Sequence, residues 1–113
     1  IYPVASALCD STHAYGLEEL SRMGFLSGVP RDPSLVPNCY LYTAEEFPPR
    51  ISYHLGAILE DNKHTALGED RDCNSRIAAS SESTRNICAP ETAYGPAGTQ
   101  FDGTIPQIYD AAP

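Results

Sequence analysis

Much is missing from this 113-residue sequence. No apolar run approaches the roughly 20 residues that a membrane-crossing helix needs, so a soluble chain is expected. There is no Cys-x-x-Cys pair, which argues against a zinc knuckle or a redox motif. No Asn-x-Ser/Thr triplet marks an N-glycosylation site, and no internal repeat is visible. Cationic side chains are few: seven Lys and Arg against fifteen Asp and Glu give a formal net charge of −8. That balance favours solubility and opposes tight, non-specific binding to phosphate backbones, while leaving room for a local cationic site.

What the sequence does contain is four cysteines, ten prolines and eight glycines. A chain of this length has room for one domain with a modest core, and small domains gain from covalent staples. Cys9, Cys39, Cys73 and Cys88 form an even set with wide, irregular spacing, the pattern of a two-disulfide framework in an oxidising compartment. Buried thiols in a cytosolic protein are the competing reading. Four cysteines allow three pairings. The chain opens on Ile1 and not Met, as expected after removal of a signal peptide. A secreted, extracellular protein is the coherent expectation.

Cys9-Asp10-Ser11-Thr12 offers side-chain oxygens that can cap a helix. Leu17, Leu20 and Met23 then share one face, with Glu18 and Glu19 early and Arg22 late, as the helix dipole prefers. Gly24 can stop the element. The spacing predicts a helix over 13–23. Pro30, Pro33 and Pro37 make 27–37 a loop. Residues 38–43 read as a strand, with Cys39 and Leu41 on one face and Tyr40 and Tyr42 on the other. Residues 50–60 fit two templates: Ile51, Tyr53 and Leu55 alternate as in a strand, while Ile51, Leu55, Ile58 and Leu59 form a helical stripe. Residues 61–75 read as polar loop, 76–79 and 87–89 as short strands, and 104–113 as an extended tail. The sum is a single α+β domain, one N-terminal helix packed on a small antiparallel β-sheet.

Glu45-Glu46-Phe47-Pro48 follows the Cys39 strand. A carboxylate beside an aromatic ring can have its pKa raised toward that of a useful base, although glutamates in such a place are more often solvated. Ribonuclease chemistry needs a base for the 2′-hydroxyl, a cation for the pentacovalent phosphate and an acid for the leaving oxygen.

Glu46-Phe47-Pro48 resembles the glutamate-aromatic-proline signature of the fungal extracellular guanyl- or purine-preferring ribonucleases, including the ribotoxins. Arg76-Ile77-Ala78-Ala79, a polar turn, and then Ile87-Cys88-Ala89-Pro90-Glu91-Thr92-Ala93-Tyr94-Gly95 are similar to that family's arginine strand and its following C-A-x-x-T-H-T-G strand. Phe101-Asp102-Gly103 resembles an aromatic-Asp-Gly found further on. The resemblance implies a microbial-ribonuclease-like fold, Glu46 as base and Arg76 as phosphate-binding cation, with Arg71 as the alternative arginine. It implies a Cys39–Cys88 disulfide and, with it, Cys9–Cys73.

The departures carry equal weight. The family's general-acid histidine falls on Ala93, and its upstream Tyr-Pro-His has at best Val29-Pro30-Arg31. Losing the general acid costs about two to four decades of rate. The resemblance therefore implies an RNase-like scaffold with a degenerate active site. His13, His54 and His64 have no motif around them, and exposed or locally bonded roles are expected. His54, His64 and Cys73 lack metal-ligand spacing, so neither metal nor other cofactor is expected. Tyr40, Tyr42 and Arg31 are candidate binding residues; with Tyr53 the tyrosines can stack on bases or on a partner's side chains.

The expected function is that of a monomeric, non-catalytic effector or binding protein, secreted by a fungal pathogen or delivered into a host cell, engaging a host protein or RNA. An active endoribonuclease with reassigned residues is the alternative. Cys39-Tyr40-Leu41-Tyr42, Pro49-Arg50-Ile51 and Asp72-Cys73-Asn74 are also similar to small β-sandwich fungal effectors, a resemblance that implies a Cys39–Cys73 bond instead.

Overall fold

The computed structural model describes residues 2–33, 39–44, 52–75 and 99–112. Helix α1 spans Glu18–Arg22, and three strands follow: β1 (Leu41–Ala44), β2 (Tyr53–Ile58) and β3 (Ile108–Ala111), with a 3-10 turn at Thr65–Gly68 between the last two. The strands form one antiparallel sheet in the order β1-β2-β3. An α+β architecture is therefore present. The strands expected at 76–79 and 87–89 lie outside the described residues.

The helix is much shorter than the 13–23 expected. Asp10 does cap backbone amides, but those of Thr12 and His13 in a tight turn. The turn is closed by a backbone bond from Asp10 to His13 and a bridge between Cys9 and Ala14. Tyr15 at φ 54° and Gly16 at φ 99° then hold the chain in the left-handed region, where a right-handed helix cannot run. Only after them does α1 begin, the Glu18 carboxylate reaching back to the amides of Ala14 and Gly16. Its residues are at most half-buried, and Leu17 at its N-cap packs against the Tyr42 and Ala44 end of the sheet, so the helix rests on the strands less closely than expected.

Alternation wins over the helical stripe in residues 53–58, where β2 becomes the middle strand. In the extended end, residues 108–111 pair with residues 55–58 of β2 on its second edge.

The disulfide pairing differs from every expectation. Cys9 bonds Cys39, with Cα atoms 6.1 Å apart, which overturns Cys39–Cys88, Cys9–Cys73 and the Cys39–Cys73 bond of the sandwich reading. The cause is local. Arg31 donates to the carbonyls of Asp10 (2.8 Å) and His13 (3.0 Å), folding the Asp10 turn back onto the approach to β1. Cys73 is also disulfide-bonded, and Cys88 lies outside the described residues.

The register assigns the side chains to two unlike faces. One carries Leu41, Thr43, His54, Gly56, Ile58, Ile108 and Asp110. The other carries Tyr42, Ala44, Tyr53, Leu55, Ala57, Tyr109 and Ala111. On that second face Ala5, Tyr42 and Ala44 form a small core, with Tyr15, Leu17 and Tyr53 against it. The Tyr42 hydroxyl donates to the Pro3 carbonyl at 2.8 Å, and Tyr2 meets Tyr53 edge-on at 4.7 Å. The N-terminal arm thus covers the β1 end of this face.

Candidate functional site

The centre of the first face is closed and polar, while Ile58 at the end of β2 is 38 % exposed. Residues 73–75 and 101–103 run side by side across it: Ser75 and Phe101 are joined by a backbone bond, and Asn74 bridges Asp102. That pairing lowers Ser75 and Phe101 onto His54 in the middle strand. The His54 Nδ1 lies 2.8 Å from Ser75 Oγ, and its Nε2 lies 2.7 Å from Asp110 Oδ2. The Phe101 ring stacks on the imidazole, centroids 3.7 Å apart and planes 11° from parallel. A Cβ on Gly56, which neighbours Asp110 across the strands, would come within 2.6 Å of that ring. Only glycine leaves the phenyl group its seat.

The carboxylate of Asp110 is gathered by backbone as well. Its Oδ1 accepts from the amides of Arg71 and Asp72, and its Oδ2 from that of Cys73. Asp72 sits at φ 51°, and the left-handed residue curls successive N–H groups around the anion as a nest. A carboxylate can only accept, so Nε2 carries the proton and Nδ1 of the neutral ring accepts from Ser75. Phe101 N–H in turn donates to Ser75 Oγ. The result is a continuous relay from Phe101 through Ser75 and His54 to Asp110. Burial pushes the His54 imidazole below its ordinary pKa, an effect only partly opposed by its bond to Asp110 and by that carboxylate's charge.

A Ser-His-Asp series invites comparison with hydrolytic triads. His54, Ser75 and Asp110 are 0–2 % exposed. A nucleophile must meet its substrate; among the described residues Ser75 Oγ bonds His54 and the Phe101 backbone. The relay satisfies buried polar groups and fixes the sheet. His54, Cys73 and Asp110 also bring ligand-type atoms within 4.8 Å of one another. The Cys73 sulfur is bound in a disulfide and so offers no thiolate to a metal.

The second face is open where the first is closed. Between the α1 region and the β2–β3 half of the sheet runs an apolar cleft of about 430 Å³, walled by Leu17, Leu20, Leu26, Val29 and Pro30 and floored by Tyr40, Leu55, Ala57, Tyr109 and Ala111. It continues at Leu17, Leu20 and Leu55 into a second concavity of about 420 Å³ that reaches Tyr2, Phe25 and Tyr53. Leu55 in the middle strand and Tyr109 in the edge strand β3 are 37 % and 38 % exposed, and Phe25 on the rim is 71 % exposed. Leu17, at the start of α1, packs against the β1 end of the sheet, while toward β2 and β3 the cleft stays open.

Of the sequence-derived candidates, Tyr40 is half-buried and lines this cleft. Tyr42 is buried in the small core. Arg31 is occupied by the backbone of the Asp10 turn. Glu46, Arg76 and Ala93 lie outside the described residues. His13 is held by Asp10 at 2.8 Å, and His64 accepts the Ala66 amide at the start of the 3-10 turn. These two histidines are locally bonded, as expected; His54 is the exception. Compared with family models, curated proteins and solved structures, the chain matches none.

Proposed function

We propose that this protein is a secreted, non-catalytic binding protein on an RNase-like scaffold with a degenerate active site, an effector that engages a host protein. The observation that carries the reading is the open apolar cleft on the second sheet face. Contiguous exposed apolar surface on a small acidic domain is the usual mark of a protein-interaction site. The −8 charge favours a protein partner over RNA. The order of a helix followed by an antiparallel sheet agrees with the ribonuclease resemblance, and Ala93 in place of the general acid argues against turnover. A two-disulfide frame belongs to the same reading, Cys9–Cys39 with Cys73–Cys88; non-reduced peptide mapping should return both pairs.

Two measurements test the reading. Purified protein incubated with RNA should give no cleavage above a Glu46→Ala control, and cleavage above it would establish the endoribonuclease alternative. Nile red, an uncharged dye, should brighten on entering the cleft, and Leu55→Lys should abolish the signal. Brightening that ignores this substitution would dismiss the cleft as the recognition surface.

A further inference from the structure

The two ends of the apolar cleft share a chemistry that its middle lacks. At one end Tyr40 and Ala57 belong both to the cleft floor and to an adjoining hollow lined by Glu60 and Asp61, both exposed. At the other end Leu20 and Phe25 lead into a hollow that Tyr2 shares with Glu18 and Glu19. Each end therefore sets aromatic rings beside carboxylates. Carboxylates attract a cationic head, and ring faces and apolar walls accept its aliphatic stem. Among the described residues, Arg22 pairs with Glu19 beside a Glu18 that accepts the Ala14 and Gly16 amides, and the Lys63 amide donates to Asp61 beside Glu60, so acids outnumber cations at both ends. The middle, from Leu17 to Tyr109, is apolar.

We propose that the cleft binds a peptide segment of a partner protein with an apolar centre and Lys or Arg at both ends. This rests on the reading of the cleft as a recognition surface and adds its specificity. A second copy of this chain is a poor occupant. At −8 each, two copies bring like charges together, and every carboxylate at the cleft ends would face an acidic surface.

A synthetic Lys-Lys-Leu-Leu-Trp-Leu-Leu-Lys-Lys peptide is a direct probe, because the protein contains no Trp and the indole alone reports occupancy. Its fluorescence should shift to the blue on titration with the full chain. Binding should be on the order of tenfold or more tighter than for the twin with Glu at the four Lys positions, and the gap should narrow between about 0.05 and 0.5 M salt. Leu55→Lys should abolish binding. The Glu60→Gln/Asp61→Asn double variant, which leaves the apolar floor intact, should weaken it several-fold, while Glu69→Gln, outside the cleft, should not. Equal binding of both peptides, or no effect of Glu60→Gln/Asp61→Asn, overturns the proposal. So does failure of the cationic peptide to bind; Nile red entry sensitive to Leu55→Lys would then still uphold the cleft as a recognition surface. A dimer in sedimentation that Leu55→Lys dissolves, or direct binding of RNA to the protein that Leu55→Lys abolishes, also overturns it.

Discussion

The two faces of one three-stranded sheet solve opposite problems. One encloses Thr43, His54 and Asp110 at 0–2 % exposure, and the other leaves Leu55 and Tyr109 more than a third exposed. Usual burial preferences would reverse that assignment. Each polar group on the closed face finds a partner: Thr43 meets Thr99 at 2.7 Å, His54 meets Ser75 and Asp110, and Asp110 meets three amides. Hydrogen bonding thus offsets the desolvation that would otherwise forbid such a core. The lesson is a division of labour: the polar face supplies rigidity, so the apolar face need not be consumed by the fold.

The strongest way to break this contrast is Asp110→Ala. It removes the acceptor of His54 and of three backbone donors at once. A loss of about 3–5 kcal/mol is expected, read from urea denaturation, because the buried His54 and Cys73 N–H groups lose this acceptor; the Arg71 amide keeps the backbone carbonyl of residue 110. Loss within 0.5 kcal/mol would mean the relay is dispensable. Gly56→Ala strikes the same face by volume. Its methyl displaces the Phe101 ring from His54, and overpacking of this kind costs about 1–3 kcal/mol. A gain in thermal midpoint would show that the ring can move freely.

Acid titration sharpens the comparison further. The native His54 pKa lies below its ordinary value, so as pH falls the unfolded chain takes up this proton first. The stabilisation is fully present above about pH 6.5 and is lost as pH drops toward the native pKa, by at most about 1.4 kcal/mol per pH unit. Melting curves from pH 8 to 5 should show this fall, and His54→Gln should flatten it. Smallest in stability is Leu55→Lys on the open face, expected within about 0.5 kcal/mol of the parent. A large drop in its melting temperature would reveal that the second face is structural after all.

Of the three strands β1 alone is legible outright; β2 alternates but also fits a helical stripe, and β3 reads only as an extended end. Tyr40-Leu41-Tyr42-Thr43 is aromatic and branched, and Tyr53-His54-Leu55 alternates. What alternation could not give was the sense of the faces. Apolar Tyr53 and Leu55 suggest an inward side, yet His54 and Gly56 point to the closed one. That inversion depends on Asp110, 56 residues from His54, and on Ser75 and Phe101, none of them near in sequence. The helix start misled for a different reason. An aspartate before a run of amides serves a turn or a helix equally well, and nothing about Tyr15 announces a positive φ. The open cleft follows from the same misreading: Leu17 and Leu20 do fall on one side, but only the β1 end of the face meets them, Leu17 packing against the core of Tyr42 and Ala44, and the β2–β3 half is left open.

Arg31, in this light, sets a timetable. By tying the Asp10 turn toward Cys39, it lets one crosslinked unit form from the first forty or so residues of the chain, a loop with a sequence separation of 30. The His54–Asp110 pair spans 56 residues and must wait for the last strand. During vectorial synthesis the amino-terminal half can therefore be oxidised while the middle strand still lacks one neighbour. Long-range pairings are the slow ones. A pulse-chase under oxidising conditions should accordingly find the Cys9–Cys39 bond before the native fluorescence of the tyrosines.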